Sequence, residues 1–297
     1  MLSILIPTYN YNFSNLVYEL HKQLTVEEIL FEIIVFDDFS EVNYSENNEV
    51  KFLKNVSVNY LVKNVGRSII RNLLAEKANY DWLLFLDCDT IPVNPSFIKK
   101  YIQELKSDQR LNVICGGVNY KPDEPELSYY LRWNFGRQRE QQFYADRIRK
   151  PYNSFFSSNF LIHKNIFNQI KFNSSISLYG YEDVVFASDL KKKEIIITHI
   201  DNPVYHIGIE DNFEFLNKTK IAIKNLIELN DKNLLTKKEV KLLYSFEAIR
   251  KFYINILLRD MYPLLGKKIE FYIINKKSKL FMFDLFKISY LSFIYKR

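Results

Sequence analysis

An α/β fold with a mostly parallel central sheet, flanking helices and a helical C-terminal extension is predicted by three features of the sequence. Short apolar runs alternate with stretches of helical periodicity between Leu2 and Leu105, the pattern of strands joined by crossover helices. Most of these runs end abruptly in polar residues, as parallel strands do where they empty into loops. From Asp211 onward the pattern is helical throughout, and no Gly/Ser-rich linker marks the change. The expected organisation is therefore an α/β domain over 1–210 and a helical extension over 211–297.

The elements follow in order. Residues 2–6 are apolar and stop at Pro7-Thr8-Tyr9-Asn10, a buried strand opening into a loop. Leu16, Val17, Leu20 and Leu24 recur at helical spacing. Residues 32–36 form a second strand closed by Asp37-Asp38-Phe39-Ser40, and 58–62 a third. A helix begins near Gly66, with Ile70, Leu73, Leu74 and Ala78 on one face. Residues 82–86 form a fourth strand ending in Asp87-Cys88-Asp89, and Phe97, Tyr101 and Leu105 mark the next helix. Beyond Cys115-Gly116-Gly117-Val118 the pattern loosens, and 129–149 interleaves Tyr, Trp and Phe with Arg. An apolar stretch at 157–162, a helix from Glu182 to about Lys192, and strands at 195–200 and 203–206 complete the first domain.

Composition narrows the function classes. With 47% hydrophobic and 26% charged residues the chain has ample material for a core and is not of the disordered class. Lys plus Arg number 41 against 35 Asp plus Glu, a net +6. That excess suits acidic partners such as nucleotides, anionic glycan or a phospholipid surface, and is too diffuse for a nucleic-acid footprint. Two cysteines, Cys88 and Cys115, cannot build a disulfide framework, so a reducing compartment is expected. The apolar start lacks a basic n-region and no run approaches the roughly 20 residues of a spanning helix, which predicts a soluble or peripheral chain.

The chemistry-bearing residues sit where strands end. Asn10, Asp37, Asp38, Asp87 and Asp89 would crowd one rim, and their mutual repulsion calls for something cationic, most economically a metal ion. In Asp87-Cys88-Asp89, residues two apart on an extended segment project to one side, so both carboxylates can face one ion; a solvated turn is the bland alternative. His206 ends a short strand, and its imidazole would complete an oxygen-rich site in a way that suits Mn²⁺ better than Mg²⁺, unless it is an ordinary packed histidine. Glu182-Asp183 open a helix, where acidic residues are favourable in any case, yet a carboxylate held there is also placed to act as general base on a hydroxyl. Arg67 and Arg71, four apart on a helix capped by Gly66, face the anionic rim.

These pieces in this order resemble the family 2 glycosyltransferases of the GT-A fold, over Ser3 to about Gly208. The resemblance rests on Ile4-Leu5-Ile6-Pro7-Thr8-Tyr9-Asn10, Ile34-Val35-Phe36-Asp37-Asp38-Phe39-Ser40, Asn64-Val65-Gly66-Arg67 through Arg71-Asn72, Phe85-Leu86-Asp87-Cys88-Asp89, and Gly180-Tyr181-Glu182-Asp183. The last, followed by a late histidine, looks like the galactosyltransferase and chondroitin-polymerase branch. The resemblance implies an inverting, metal-dependent enzyme that moves a hexose or N-acetylhexosamine from a UDP-sugar to a saccharide or lipid-linked saccharide acceptor in surface polysaccharide synthesis. Pro7, Thr8 and Tyr9 would line the base, Asp37 or Asp38 would accept from it, and Gly66, Arg67, Arg71 and Asp87 would serve the rest of the nucleotide. Asp89 and His206 would hold Mn²⁺ or Mg²⁺, Asp183 would be the catalytic base, and Glu182 would bind sugar hydroxyls. Phe39 stands where the family has Gly, and Tyr181 where that branch often has Trp.

The same fold resemblance admits a sugar-phosphate nucleotidyltransferase, but Thr8-Tyr9-Asn10-Tyr11-Asn12 lacks the Gly and Lys that hold a triphosphate. A non-catalytic glycan-binding protein would have no use for Asp89, Asp183 and His206 together. The segment 129–149 reads either as an acceptor wall, with Trp133 contacting sugar and the arginines a carrier phosphate, or as an amphipathic helix with its aromatics in a core; Tyr181 is a separate acceptor-binding candidate. Leu242 to Leu265 is expected to pack on the protein and the last turn or two of the chain to touch an anionic bilayer. The expected location is cytoplasmic, with a peripheral position at the inner face of the membrane, and no nucleic-acid partner.

Overall fold

The structure is a computed structural model that describes residues 1–107 and 112–295. Among the described residues the main sheet has the order β3-β2-β1-β4-β8-β6-β9. Four strands, β1 (Leu2–Thr8), β2 (Phe31–Asp37), β3 (Val56–Tyr60) and β4 (Trp82–Leu86), run parallel. They are joined through α1 (Ser14–Thr25), α2 (Ser45–Glu49) and α3 (Arg67–Lys77). The expected helix face is the buried one: Leu16, Val17, Leu20 and Leu24 of α1 are all enclosed.

After β4 comes a short β5 (Thr90–Pro92), then α4 (Phe97–Ser107), β6 (Val113–Cys115), β7 (Val118–Asn119), α5 (Tyr130–Phe135) and α6 (Tyr144–Arg149). The chain continues through β8 (Asn159–His163), α7 (Lys164–Ile170), α8 (Glu182–Lys192), β9 (Ile197–His199) and β10 (Val204–His206). β8 lies antiparallel between β4 and β6, so the sheet is mostly rather than wholly parallel. β5, β10 and β7 form a second, three-stranded sheet. Neither β5 nor β7 was expected from the sequence; two or three residues carry no readable period.

Two compact units emerge, and they do not coincide with a single cut. The first comprises Met1–Lys121, Gln141–Ser177 and Phe186–Gly208; the second comprises Pro122–Glu140, Leu178–Val185 and Ile209–Arg297. The core of the first is aromatic where β4 meets β8: Phe85 stacks on Phe160 at 4.8 Å and Phe172 on Phe186 at 4.4 Å. Such pairs add about 0.5–1.5 kcal/mol each beyond the area they bury.

The second unit contains α9 (Asn212–Asp231), α10 (Lys241–Lys251), α11 (Ile254–Asn275) and α12 (Leu280–Ile294). Its core gathers Leu131, Phe215, Ile223, Phe246, Phe283, Phe286 and Leu291. Two expectations from the sequence fall on this unit. Of α5, Leu131 and Phe135 join this core, while Trp133 is buried outside it with the Arg137 guanidinium over its ring at 5.1 Å. Along α12, Phe286, Tyr290 and Leu291 are buried while Phe281 and Phe293 are exposed, and Lys296 and Arg297, with which the bilayer expectation ends, lie outside the described residues; exposed apolar residues also gather on α11. Among the described residues no helix is long and apolar enough to cross a membrane.

Candidate active site

The parallel direction of β1, β2 and β4 brings their carboxyl ends to one edge of the sheet. β1 and β2 end in register, Thr8 opposite Asp37, and the loops beyond are laced together by side chains. Asn10 Oδ1 accepts from the backbone N–H of Glu41 at 2.8 Å and of Val42 at 3.1 Å, while the Asn10 N–H donates to Ser40 Oγ at 2.7 Å. Asp37 Oδ1 accepts from the Ser40 N–H at 2.7 Å. Asp38 uses both carboxylate oxygens on the start of α3, taking the Val65 N–H at 2.7 Å and the Gly66 N–H at 2.9 Å. Phe39 between them has φ +66. The backbone thus keeps the left-handed turn that favours Gly, and Phe39 sits in it with its ring exposed.

Of the residues expected to line a base, Thr8 is buried within the strand and Tyr9 is half exposed at its mouth. Gly66 caps α3 and Arg67 is exposed on its first turn. Arg71 lies inside the fold. It is 2% exposed, its Nη2 donates to Asp87 Oδ1 at 2.7 Å, and its guanidinium lies over the Phe172 ring at 5.3 Å. Arg71 therefore positions Asp87 from within the aromatic core. Asp37, Asp38 and Asp87 are thus met by backbone N–H groups and one buried guanidinium.

Asp89 is placed differently. The turn after β4 closes with the Thr90 N–H and Oγ1 both donating to the Asp87 carbonyl. β5 then runs antiparallel to β10 with His206 opposite Thr90, which sets His206 Nε2 3.3 Å from Asp89 Oδ2. Tyr120 stacks on the His206 ring at 5.5 Å, and the Ile207 N–H donates to the Asp89 carbonyl at 2.8 Å. Gly208 permits this closeness: a Cβ there would meet Asp89 Cβ at 2.5 Å and the Tyr11 ring at 3.0 Å. Burial, then the Asp89 carboxylate, pushes the Tyr11 phenol up to about 12. The same two causes hold the Cys88 thiol well above its ordinary range, so it stays neutral and supplies no thiolate.

Asp89 and His206 are an oxygen and an imidazole donor at one point, a pair that fits Mn²⁺ with the other positions left to substrate oxygens or water. Among the described residues no cluster of three or more His, Cys, Asp or Glu surrounds them. Tyr11, Tyr120 and Gly208 escaped the sequence reading. Tyr11 adjoined a motif already singled out, but nothing marked the other two.

In the second unit, Gly180-Tyr181 turn into α8 with φ +96 and +68. α9 holds that turn: Asn225 Nδ2 donates to the Gly180 carbonyl at 2.6 Å, and a Cβ on Gly180 would lie 2.8 Å from Ala222 Cβ. Gly180 is needed for both reasons, and Tyr181 carries strained backbone. Glu182 is buried, whereas Asp183 is partly exposed and its Oδ1 accepts from the Val184 N–H at 2.8 Å. Burial, and then the Asp183 carboxylate, raises the Tyr181 phenol well above its ordinary range. Arg132, expected at an acceptor phosphate, is instead engaged by Glu140 at 3.1 Å and Glu210 at 3.2 Å.

Residues 3–171 match the sequence profile described as Glycosyl transferase family 2. None of the curated proteins matches significantly. Among solved structures the chain is similar to S. aureus TarS, at TM-score 0.49 and 17% identity, over 76% of this chain and 39% of that one. TarS 1-349 in complex with UDP-GlcNAc gives TM-score 0.48 and 18% identity over 76% and 66% of the two chains. The mannosyltransferase PcManGT from Pyrobaculum calidifontis, in complex with GDP-Man and Mn²⁺, gives TM-score 0.51 and 11% identity over 77% and 64%. The chain thus spans less than half of the longer TarS chain, and at these identities the likeness concerns the fold alone.

Proposed function

This chain belongs to glycosyl transferase family 2 and is a glycosyltransferase of the GT-A fold, and on that footing we propose that its donor is a UDP-sugar and its reaction inverting and dependent on a divalent cation. The sugar would be a hexose or N-acetylhexosamine, and the acceptor a saccharide or lipid-linked saccharide of surface polysaccharide synthesis. The observation that carries the reading is the Asp89–His206 pair, two metal-competent donors 3.3 Å apart just beyond the carboxyl end of β4.

In this reading Tyr9, half exposed beside the β1 end, stacks on the base. Asp38 has both oxygens engaged by the α3 backbone, so Asp37 is the better acceptor for a base N–H. Asp87, steadied by Arg71, takes the ribose hydroxyls. A cation held by Asp89 and His206, when bound, supplies Lewis-acid neutralisation of the diphosphate charge. Asp183 removes the proton from the acceptor hydroxyl, whose oxygen forms a bond to the anomeric carbon while the bond from that carbon to the diphosphate oxygen breaks. The single displacement inverts the configuration and releases UDP. Glu182 orients sugar hydroxyls, and Tyr181 contacts the acceptor.

Calorimetry with UDP tests this: affinity should strengthen when Mn²⁺ is added, and absence of UDP binding with Mn²⁺ present would overturn the donor assignment. Asp183→Asn should bind UDP as the parent does and lose transfer from a panel of UDP-sugars. An active Asp183→Asn enzyme would remove Asp183 from the role of base.

A further inference from the structure

We propose that α11 is a docking surface for an anionic lipid bilayer. The helix is apolar on two faces. One carries Tyr262, Ile269 and Ile273 into the core of the second unit. The other shows Leu257 at 60%, Leu264 at 75% and Phe271 at 67% exposure, in line with Tyr253 at the helix start at 74%. Their spacings of four, seven and seven residues put them on one stripe. Ile254, Met261, Leu265 and Tyr272 widen it, all exposed. A helix apolar all round is normally covered on both sides, and a contiguous exposed apolar stripe marks a contact surface.

Charge identifies what covers it. Residues 250–279 contain eight Lys and Arg against two Asp and Glu, a net +6, while the rest of the chain carries 33 of each sign. The whole excess positive charge of the protein therefore lies on and beside this helix. All eight basic residues are exposed, and both acidic ones are paired, Asp260 with Arg259 and Glu270 with Lys220. Lys267 and Lys268 stand one turn from Phe271 and Leu264, where their stems can lie along the stripe and their ammonium groups reach phosphates. A second copy of this chain would bring the same +6 to the contact, whereas an anionic headgroup layer complements it. Apolar residues entering the headgroup boundary beside a basic flank describe an interfacial helix. The sequence-based expectation gave this role to the last turns of the chain, where Tyr290 and Leu291 are buried, Phe293 is exposed, and Lys296 and Arg297 lie outside the described residues.

Flotation of the full chain with phosphatidylcholine vesicles, with and without about one-third phosphatidylglycerol, tests the proposal. The protein should float with the anionic vesicles, remain in solution with the neutral ones, and detach as salt is raised. Lys267→Gln with Lys268→Gln should lower partitioning about 25-fold, at about fivefold per basic side chain near the surface. Leu257→Asn with Leu264→Asn should lower it at least about tenfold. Val62→Asn, at a still more exposed position on the first unit, should change nothing. Circular dichroism melts verify that each variant is folded, and the two lysine changes keep the test alive if the leucine pair unfolds. Equal partitioning on neutral and anionic vesicles, no flotation at all, or variants that alter only self-association in sedimentation would overturn it.

Discussion

Lowering the pH from 7.5 to 5 is expected to cost this protein about 2 kcal/mol through one histidine, a value obtained from its shifted pKa by proton linkage. His199 is 4% exposed on β9. Its Nε2 lies 2.9 Å from the Pro151 carbonyl and its Nδ1 3.2 Å from Arg147 Nη1, a pairing that suits the neutral ring with the proton on Nε2. Burial, reinforced by the Arg147 charge and opposed by the Pro151 carbonyl, holds its pKa at about 4 instead of 6.5. The unfolded chain therefore takes the proton first as pH falls. Stability is fully present above 6.5 and drains away toward 4, in total about 3 kcal/mol. Arg147 also donates to the carbonyls of Cys115 and Ile200, so the ring helps fix the strand ends that lead into β7 and β10. Urea midpoints at both pH values, for the parent and for His199→Gln, isolate this residue from the carboxylates. The parent should lose about 2 kcal/mol more than the variant between pH 7.5 and 5. Parallel pH profiles would falsify the neutral, buried assignment.

Arg71→Ala removes the buried partner of Asp87 and should destabilise by about 3 kcal/mol, near the lower end for a broken buried pair because Asp87 is partly exposed. Its urea midpoint should fall together with UDP affinity; loss of UDP affinity at unchanged stability would make Arg71 a direct ligand. Gly208→Ala places a methyl against Asp89 Cβ and should weaken Mn²⁺ binding about 10- to 100-fold while leaving metal-free UDP affinity intact, measured by calorimetry. Asp38→Asn turns one acceptor toward the α3 start into a donor and should cost about 2 kcal/mol in chemical denaturation. A smaller change than that in Asp38→Asn would mean α3 is capped by other means.

Legibility followed the strength of each local signal. The fourth strand, Trp82–Leu86, and the helix Glu182–Lys192 are found where the sequence puts them, because an apolar run bounded by aspartates and an acidic helix start are strong local cues. β3 lies two residues earlier than expected, and it is an edge strand with no buried side chain to fix a period. The residue types at the rim were readable, but their partners were not. Asp38 reaches amides 27 and 28 positions away, and the register that joins Asp89 to His206 depends on β5, too short to be seen. The C-terminal helices were hard to read for a related reason. α11 and α12 are both rich in apolar residues around their circumference, so no stripe distinguishes the packed face from the exposed one until neighbours are known.

The rim divides its carboxylates by what they hold. Asp37 and Asp38 bind backbone amides that shape the loops, and Asp87 binds a guanidinium anchored on the aromatic core. Those contacts hold the fold, since a buried carboxylate without them would carry a large desolvation cost. Asp89 meets an imidazole brought from the far end of the unit, on a strand of only three residues that joins a separate small sheet. Fold stability gives little reason to bring His206 to that point, because a 3.3 Å contact between partly exposed groups contributes at most about 1 kcal/mol. The proposed function gives one: an oxygen and a nitrogen donor set side by side beyond a strand end can share a cation with a diphosphate. On that proposal β10, a minor element by size, carries the residue that completes the cation site.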